Sequence, residues 1–307
     1  MIKYDLPKRL LCFYSYVGGK TVDYNLCDYK SLVKLLSPYG FNFSKSLGQN
    51  FIIDSSVCPT MVEMLGTDKN TGVLEIGPGV GVLTKELCKA SGKVVSVELD
   101  ERLYPVLEKT LGDYDNFELV KGDCMKLDLA EILKEKLSGF DTVKVCANLP
   151  YYITSPVIMN LLESRLPISE IEVMVQQEAA ERLCAEIGTR AAGAVSVAVK
   201  YYGESEILFN VGRECFMPSP KVDSSVIKIR LYDEPEYTVK NEKKFFSLVK
   251  GIFAQRRKTL VNSLSNSVGM SKAEIQNALS KMSLEPTVRA ENLTMEEIVA
   301  LSDLLLK

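Results

Sequence analysis

The sequence predicts an α/β chain: a parallel sheet covered by helices on both faces, followed by a small all-helical C-terminal domain. Three observations lead there. Short, β-branched apolar runs alternate with helix-like stretches from Val73 to Leu231. A cluster of glycines follows the first of these runs, where a strand would turn into a helix. Beyond Asp233–Pro235 no convincing strand remains, and apolar residues recur at helical spacing.

Composition sets the outer limits. The 307 residues allow two domains at roughly 150 residues each. With 46% apolar and 25% charged residues, the chain is an ordinary folded soluble protein. There is no His, which excludes a His general base, a Ser-His-Asp triad and any His-ligated metal site, and no metal is expected. There is no Trp, so any base-stacking platform must use Tyr or Phe. The cysteines (Cys12, Cys27, Cys58, Cys88, Cys124, Cys146, Cys184 and Cys215) are too far apart in sequence for a CxxC motif. They read as small buried hydrophobes in a reducing compartment. No apolar run approaches the ~18 residues of a membrane span. Lys3, Lys8 and Arg9 precede Leu10–Phe13, but no sustained apolar region follows. A cytoplasmic protein without membrane contact is expected.

Residues 1–27 show no clear period and remain an unassigned N-terminal extension. Residues 28–232 form the expected sheet-bearing domain and residues 233–307 the helical one. Asp28–Tyr39 reads as a short amphipathic helix. Val73–Ile76, Val94–Leu99, Phe117–Val120 and Val143–Ala147 read as strands, with helices at Leu83–Lys89, Glu101–Leu111 and Leu129–Leu137 between them. The alternation continues with a helix at Ser155–Leu162, a strand at Ile171–Val175 and a helix from Glu178. Apolar runs at Ile207–Val211 and Val226–Leu231 follow. In the C-terminal part, Phe245, Leu248, Val249, Ile252 and Phe253 mark one amphipathic helix, and Glu296–Leu306 another.

Val73–Ile76 runs into Gly77-Pro78-Gly79-Val80-Gly81. Glycine there supplies positive φ and lets a ligand approach the backbone. Glu98 ends the next strand, 21 residues after Gly77, where a carboxylate can accept both hydroxyls of a ribose. A dinucleotide motif usually has a further glycine where Val82 stands. S-adenosylmethionine has no phosphate to seat, and the spacing favours it. The plainer alternative is a tight strand-to-helix turn. Asp123, closing the third strand, can accept from an adenine amine or simply cap a helix.

Asn148-Leu149-Pro150-Tyr151 follows the fourth strand, at the carboxyl edge where open α/β sheets bind ligands. Pro150 stiffens the turn. A rigid turn can aim the Asn148 oxygen and a neighbouring backbone carbonyl at one exocyclic –NH2. Hydrogen bonds to two acceptors favour a pyramidal nitrogen and localise its lone pair for attack on a sulfonium methyl. Tyr151 offers a face on which an extruded base can stack. The plainer alternative is a turn followed by a core Tyr.

Taken together, these residues resemble the ribosomal RNA adenine dimethyltransferases. Lys45-Ser46-Leu47-Gly48-Gln49-Asn50-Phe51-Ile52 looks like the family's N-terminal motif, and Glu75–Gly81, Glu98, Asp123 and Asn148–Tyr151 fall at its cofactor and catalytic motifs. Phe216–Ser224 and Phe253–Leu260 are similar to its later signatures. The likeness runs from about Asp28 to Lys307. Asn148–Pro156 and the later signatures look most like the small-subunit (16S) branch, and less like the large-subunit enzymes that confer macrolide resistance.

The resemblance implies a Rossmann-like class I methyltransferase sheet and S-adenosyl-L-methionine as cofactor. It further implies dimethylation of N6 on two adjacent adenines near the 3′ end of 16S rRNA, in a partly assembled small subunit. It places Asn50, the backbone at Ile52, Gly77, Gly79, Glu98, Asp123 and Asn148 on the cofactor. Asn148 and the carbonyl of Leu149 or Pro150 would hold the target amine, with Tyr151 on one face of the base and Phe216 bordering the other. A monomer is expected on the same ground.

The net charge of -3 is unlike an RNA binder, but phosphate affinity depends on local charge. Lys243, Lys244, Lys250, Arg256, Arg257 and Lys258 fall within residues 243–258 with no acid among them, and Lys221, Lys228 and Arg230 precede them. This stripe is the expected RNA contact; a solvated helix face is the alternative. A small-molecule or protein-glutamine N-methyltransferase would have no use for it. A binding-only assembly factor would show damage at Gly77, Glu98 or Asn148, and all three are intact.

Overall fold

The computed structural model describes residues 24–41 and 50–306. Lys45–Gln49 of the N-terminal motif and most of the unassigned extension lie outside them.

The chain opens with α1 (Tyr29–Leu36), whose N-terminus is capped by the Asp28 carboxylate, followed by a 3-10 turn at Ser37–Tyr39. A two-residue strand β1 (Phe51–Ile52) leads to α2 (Val57–Leu65). Then come β2 (Thr71–Ile76), α3 (Val82–Ala90), β3 (Lys93–Glu98), α4 (Tyr104–Leu111), β4 (Phe117–Lys121), α5 (Leu129–Lys136) and β5 (Thr142–Asn148). They are followed by α6 (Thr154–Glu163), β6 (Glu170–Gln176), α7 (Gln177–Leu183), α8 (Ala194–Tyr202), β7 (Gly203–Val211), β8 (Phe216–Met217) and β9 (Ser224–Leu231).

One seven-stranded sheet has the order β4-β3-β2-β5-β6-β9-β7. Its first five strands are parallel, as expected. The expectation of a wholly parallel sheet is corrected at β9, which runs antiparallel to both neighbours. The reason lies in the connection. Residues 212–223 between β7 and β9 hold only a 3-10 turn and β8, with no crossover helix to return the chain in parallel.

Successive side chains of each strand face opposite ways. Val73, Val94, Cys146 and Met174 pack under α2 and α3 on one face. Leu74, Val95, Val145 and Val173 pack under α5, α6 and α8 on the other. Burial on both faces explains the unbroken β-branched runs. The sequence pattern missed α2 and α8, whose apolar residues cover the sheet without a polar stripe clear enough to mark a helical period.

After β9 the described chain is helical: α9 (Glu242–Phe253), α10 (Leu260–Val268), α11 (Lys272–Lys281) and α12 (Met295–Leu305). Side chains of Asn241, Thr259, Ser271 and Thr294 cap their N-termini. Phe246 of α9 stacks on Tyr202 of α8 with ring centroids 5.4 Å apart, and one apolar cluster continues from the sheet into these helices. Glu242 adds an ion pair to Arg165 at 2.9 Å. Among the described residues, no helix is long and apolar enough to cross a membrane.

Candidate active site

β2 and β5 are paired neighbours, with Glu75 opposite Cys146, so the segments that follow them emerge side by side at the carboxyl edge. At this point the chain order reverses: β3 lies on one side of β2 and β5 on the other. A cleft opens there. Its lining includes Asn50, Ile52, Glu75, Gly77, Gly79, Glu98, Asn148, Leu149, Pro150 and Tyr151.

The glycine-rich loop forms one wall. Gly77 has φ +72° and Gly79 φ +60°, conformations that a residue with Cβ adopts only with strain. The Gly77 N–H donates to the Val97 carbonyl at 2.9 Å, which ties the loop to β3. Glu98, only 5% exposed, accepts from the Gly79 N–H at 3.2 Å and from the Asp100 N–H at 2.8 Å, one bond to each carboxylate oxygen. Burial raises its pKa, and the N–H groups of Asp100 and Gly79 oppose that shift. Each oxygen keeps a lone-pair direction for a hydroxyl in the cleft.

Glu75 lies beneath the loop. Its Oε2 accepts from Thr84 Oγ1 of α3 at 2.7 Å and from Ser96 Oγ of β3 at 2.6 Å. Complete burial pushes its pKa up to about 7, against the two hydroxyl bonds. Glu75 stands in the quoted motif, yet its role in joining α3 to β3 was not foreseen.

The opposite wall is the turn after β5. Leu149 N–H extends the ladder to the Met174 carbonyl at 3.2 Å. Asn148 Nδ2 donates to the Asn50 carbonyl at 3.4 Å, which leaves Oδ1 without a donor among the described residues. The two carbonyls left open by the sequence now separate. That of Pro150 accepts from Ile153 N–H at 3.1 Å and from Thr154 Oγ1 at 3.4 Å, at the start of α6. That of Leu149 accepts no hydrogen bond among the described residues. Among the described residues, the free acceptors of this wall are therefore Asn148 Oδ1 and Leu149 O. Tyr151 is half-buried, with its hydroxyl 2.9 Å from Ser224 Oγ. Burial raises the phenol pKa further, so Tyr151 is neutral. Ser224 closes the Phe216–Ser224 signature, but the residue pattern gave no sign that it would anchor Tyr151.

Two expected residues lie elsewhere. Phe216 is 2% exposed; its backbone pairs with Ile52, and its ring packs in the core with Val57, Met61 and Met174 rather than lining the cleft. Asp123 is outside the cleft lining; its Oδ1 accepts from Met125 N–H at 3.0 Å, a local turn, and its Oδ2 lies 3.6 Å from Lys126 Nζ. β4 nevertheless pairs with β3, and Gly122 N–H donates to the Glu98 carbonyl at 2.8 Å, so Asp123 stands one strand along the same edge.

The basic stripe divides. Arg256 and Arg257 line a surface cavity together with Arg190, Arg289 and Glu291. Arg256 also donates to the Arg190 carbonyl. Arg190 and Arg289 stand alone in the sequence, so no charge run announced them. Lys243, Lys244 and Lys258 are exposed, and Lys250 lies 3.7 Å from Glu163. Lys221 is exposed at the end of the β7–β9 connection. Lys228, counted with the stripe, is internal: it pairs with Glu170 at 2.5 Å at the end of α2, and Arg230 pairs with Glu206 at 2.6 Å.

Comparison with known proteins agrees with this geometry. A profile of the ribosomal RNA adenine dimethylase family matches residues 40–307. The ribosomal RNA small subunit methyltransferase A of Geobacillus sp. (strain WCH70) is 44% identical over 275 residues, covering 89% of this chain and 94% of the relative. The protein of that name from Clostridioides difficile (strain 630) is 43% identical over 280 residues, 91% of this chain and 96% of its own. Among solved structures, the 23S rRNA methyltransferase ErmE superposes with a TM-score of 0.62 at 25% identity, covering 84% of this chain and all of its own. A dimethyladenosine transferase from Plasmodium falciparum gives 0.64 at 25% identity, covering 81% of this chain and 95% of its own. The family profile spans the cleft, the sheet and the C-terminal helices, and the chain belongs to the ribosomal RNA adenine dimethylase family.

Proposed function

We propose that this protein uses S-adenosyl-L-methionine to dimethylate N6 of two adjacent adenines near the 3′ end of 16S rRNA, within a partly assembled small subunit. One observation carries the reading: in a cleft shared with a glycine loop, a stiff turn leaves two acceptors, Asn148 Oδ1 and Leu149 O, unengaged among the described residues. The small-subunit substrate is favoured over the large-subunit one by relatives of that name at 43–44% identity, against 25% for ErmE.

The residues present fit the cofactor. Glu98 is a buried carboxylate with lone pairs left for ribose hydroxyls, and a Cβ at Gly77 would meet nothing within 4 Å, so the loop has open space beside it. Asn50, the Ile52 backbone, Gly77, Gly79 and Asn148 would hold the remaining parts. Asp123, one strand further along, would take the adenine amine. When bound, the cofactor supplies an electrophilic methyl group on a sulfonium sulfur.

Asn148 Oδ1 and Leu149 O would accept hydrogen bonds from the two N–H groups of the target amine and so orient its lone pair for attack. These acceptors are fixed before the substrate arrives, so no reorganisation is needed in the transition state. No base of neutral pKa is required beforehand, which suits a chain without His. After one transfer the nitrogen would shed one proton to solvent, and the single N–H that remains could still be oriented by one acceptor for the second. Tyr151, held by Ser224, stacks on the extruded base. Phe216 acts through the backbone: its pairing with Ile52 sets that strand against the cleft.

Residues 28–232 thus carry the chemistry, and residues 233–307 most of the phosphate contacts. Arg256 and Arg257, joined by Arg190 and Arg289, make a denser positive patch than the sequence stripe alone. Lys221, Lys243, Lys244, Lys250 and Lys258 extend it. We place the protein in the cytoplasm, acting as a monomer.

The test uses labelled S-adenosylmethionine, unmethylated small subunits and nuclease digestion of the recovered RNA. The expected product is N6,N6-dimethyladenosine at two adjacent positions. Label on large subunits alone would move the substrate to 23S rRNA, and tight binding without label would leave a non-catalytic assembly factor.

A further inference from the structure

Tyr152 follows directly on the reactive tetrapeptide and is 61% exposed. Among the described residues, none gives its ring a hydrogen bond, an aromatic neighbour or a cation. An aromatic ring left bare is ordinary on a loose loop, but this turn is not loose. Ile153 N–H closes it onto the Pro150 carbonyl, so Tyr151 and Tyr152 are its two central residues. α6 begins immediately afterwards at Thr154 and is anchored in the core by Val157, Ile158, Leu161 and Leu162. Tyr151 is drawn back to Ser224 and lines the cleft; Tyr152 does not line it. Two consecutive phenol rings are thus held by one rigid turn, one in the cleft and one outside.

Building on the proposed substrate, we infer that Tyr152 is a substrate-positioning residue: its ring stacks on the nucleobase adjacent to the adenine held in the cleft. Extruding one base strips a stacking partner from its neighbour, and an exposed aromatic ring on the same turn replaces it. The choice of an aromatic group also suits the chemistry. Once the first adenine carries two methyls, its N6 has no proton to donate. A polar contact reading that amine would fail on the modified base, whereas a π face remains. Stacking on Tyr152 therefore serves equally when the neighbouring adenine is unmodified and when it is already dimethylated.

Two experiments test this on the full chain with unmethylated small subunits. The first compares Tyr152→Leu and Tyr152→Phe. Tyr152→Leu should lower kcat/KM for methyl transfer by between about 5-fold and about 150-fold, the value of one stacked base. Tyr152→Phe should stay within about twofold of the parent chain, and the cofactor Kd should be unchanged in both. The second places p-azidophenylalanine at position 152 and maps photo-crosslinks by reverse transcription. With the cofactor withheld, so that no dimethyladenosine itself halts the transcriptase, the expected stop is at the nucleotide flanking a target adenine. Full activity in Tyr152→Leu, or crosslinks confined to protein or to distant RNA, would overturn the assignment even if Tyr152→Leu proved unstable. Failure of the parent chain itself to methylate small subunits would instead remove the proposed function, and this inference with it.

Discussion

At the cleft, segments from β1, β2, β3 and β5 meet largely through backbone: glycine torsions, N–H groups on Glu98, the Leu149 carbonyl and the turn closed by Ile153. On the arginine face, Arg190, Arg256, Arg257 and Arg289 come from three separate segments and meet through long, exposed side chains, one of which reaches the Arg190 carbonyl. The two regions therefore answer to different physics. In the cleft, burial and fixed dipoles decide, and the loss of one atom is felt strongly. On the face, solvent and salt screen every charge, and no single cation is decisive.

The sharpest way to break the contrast is Asn148→Ala. It removes a preorganised acceptor and its link to Asn50 without touching the arginines. We expect kcat to fall by roughly 100-fold to 1,000-fold, about 3–4 kcal/mol of transition-state stabilisation. Affinity for small subunits should hold within a small factor. Steady-state kinetics alongside a filter-binding titration gives both numbers. A variant that loses binding and rate together would mean that the turn acts chiefly as an RNA contact.

The same contrast explains what the sequence made legible. Gly77, Gly79, Glu98 and Asn148 sit at strand ends, and strand ends can be read from apolar runs. Pairing of parallel strands then brings them together almost automatically. Acceptor identity was not legible, because Leu149 O and Pro150 O differ only in whether α6 consumes them. Phe216 was read as a wall of the pocket because its motif is local; its burial depends on the β1–β8 pairing, which joins residues far apart in sequence. Lys228 looked like part of the basic stripe, yet on β9 it faces inward to Glu170 and α2. Arg190 and Arg289 had no local signature at all. The turned-round strand β9 escaped for a related reason: alternation reveals strands but not their direction.

Glu75 offers a second probe of the dry side. The folded chain holds its proton until about pH 7, against an ordinary value of 4.5. The folded state thus binds more protons than the unfolded state between these values, and stability contributed by this site falls as pH rises through that window. It is flat above. Glu75→Gln keeps an oxygen for Thr84 and Ser96 but cannot ionise. Its stability relative to the parent chain should grow by roughly 3 kcal/mol between pH 4.5 and pH 8. Urea denaturation at several pH values measures it. Glu172, pushed up to about 8 by burial, gives a slope of the same sign in both proteins and cancels in the difference. A constant difference across the window would show that Glu75 is ionised throughout.

The smallest effect belongs to the wet side. Arg190→Ala should weaken binding to small subunits by only about 0.2–1 kcal/mol, with kcat at saturating subunit unchanged, because an exposed cation is replaced by solvent and counterions. Its signature lies in the salt dependence. Loss of one phosphate contact reduces the slope of log K against log salt by about 1. Arg289→Ala should do the same, and the two changes together should subtract about twice that, since screened charges are nearly independent. Arg190 also accepts the Arg256 donor through its backbone carbonyl, which an alanine retains. The cluster geometry therefore survives the substitution, and the slope reports the lost charge alone. An unchanged slope in both variants would detach this cavity from the RNA and leave the binding charge to Lys243, Lys244 and the other lysines of the stripe.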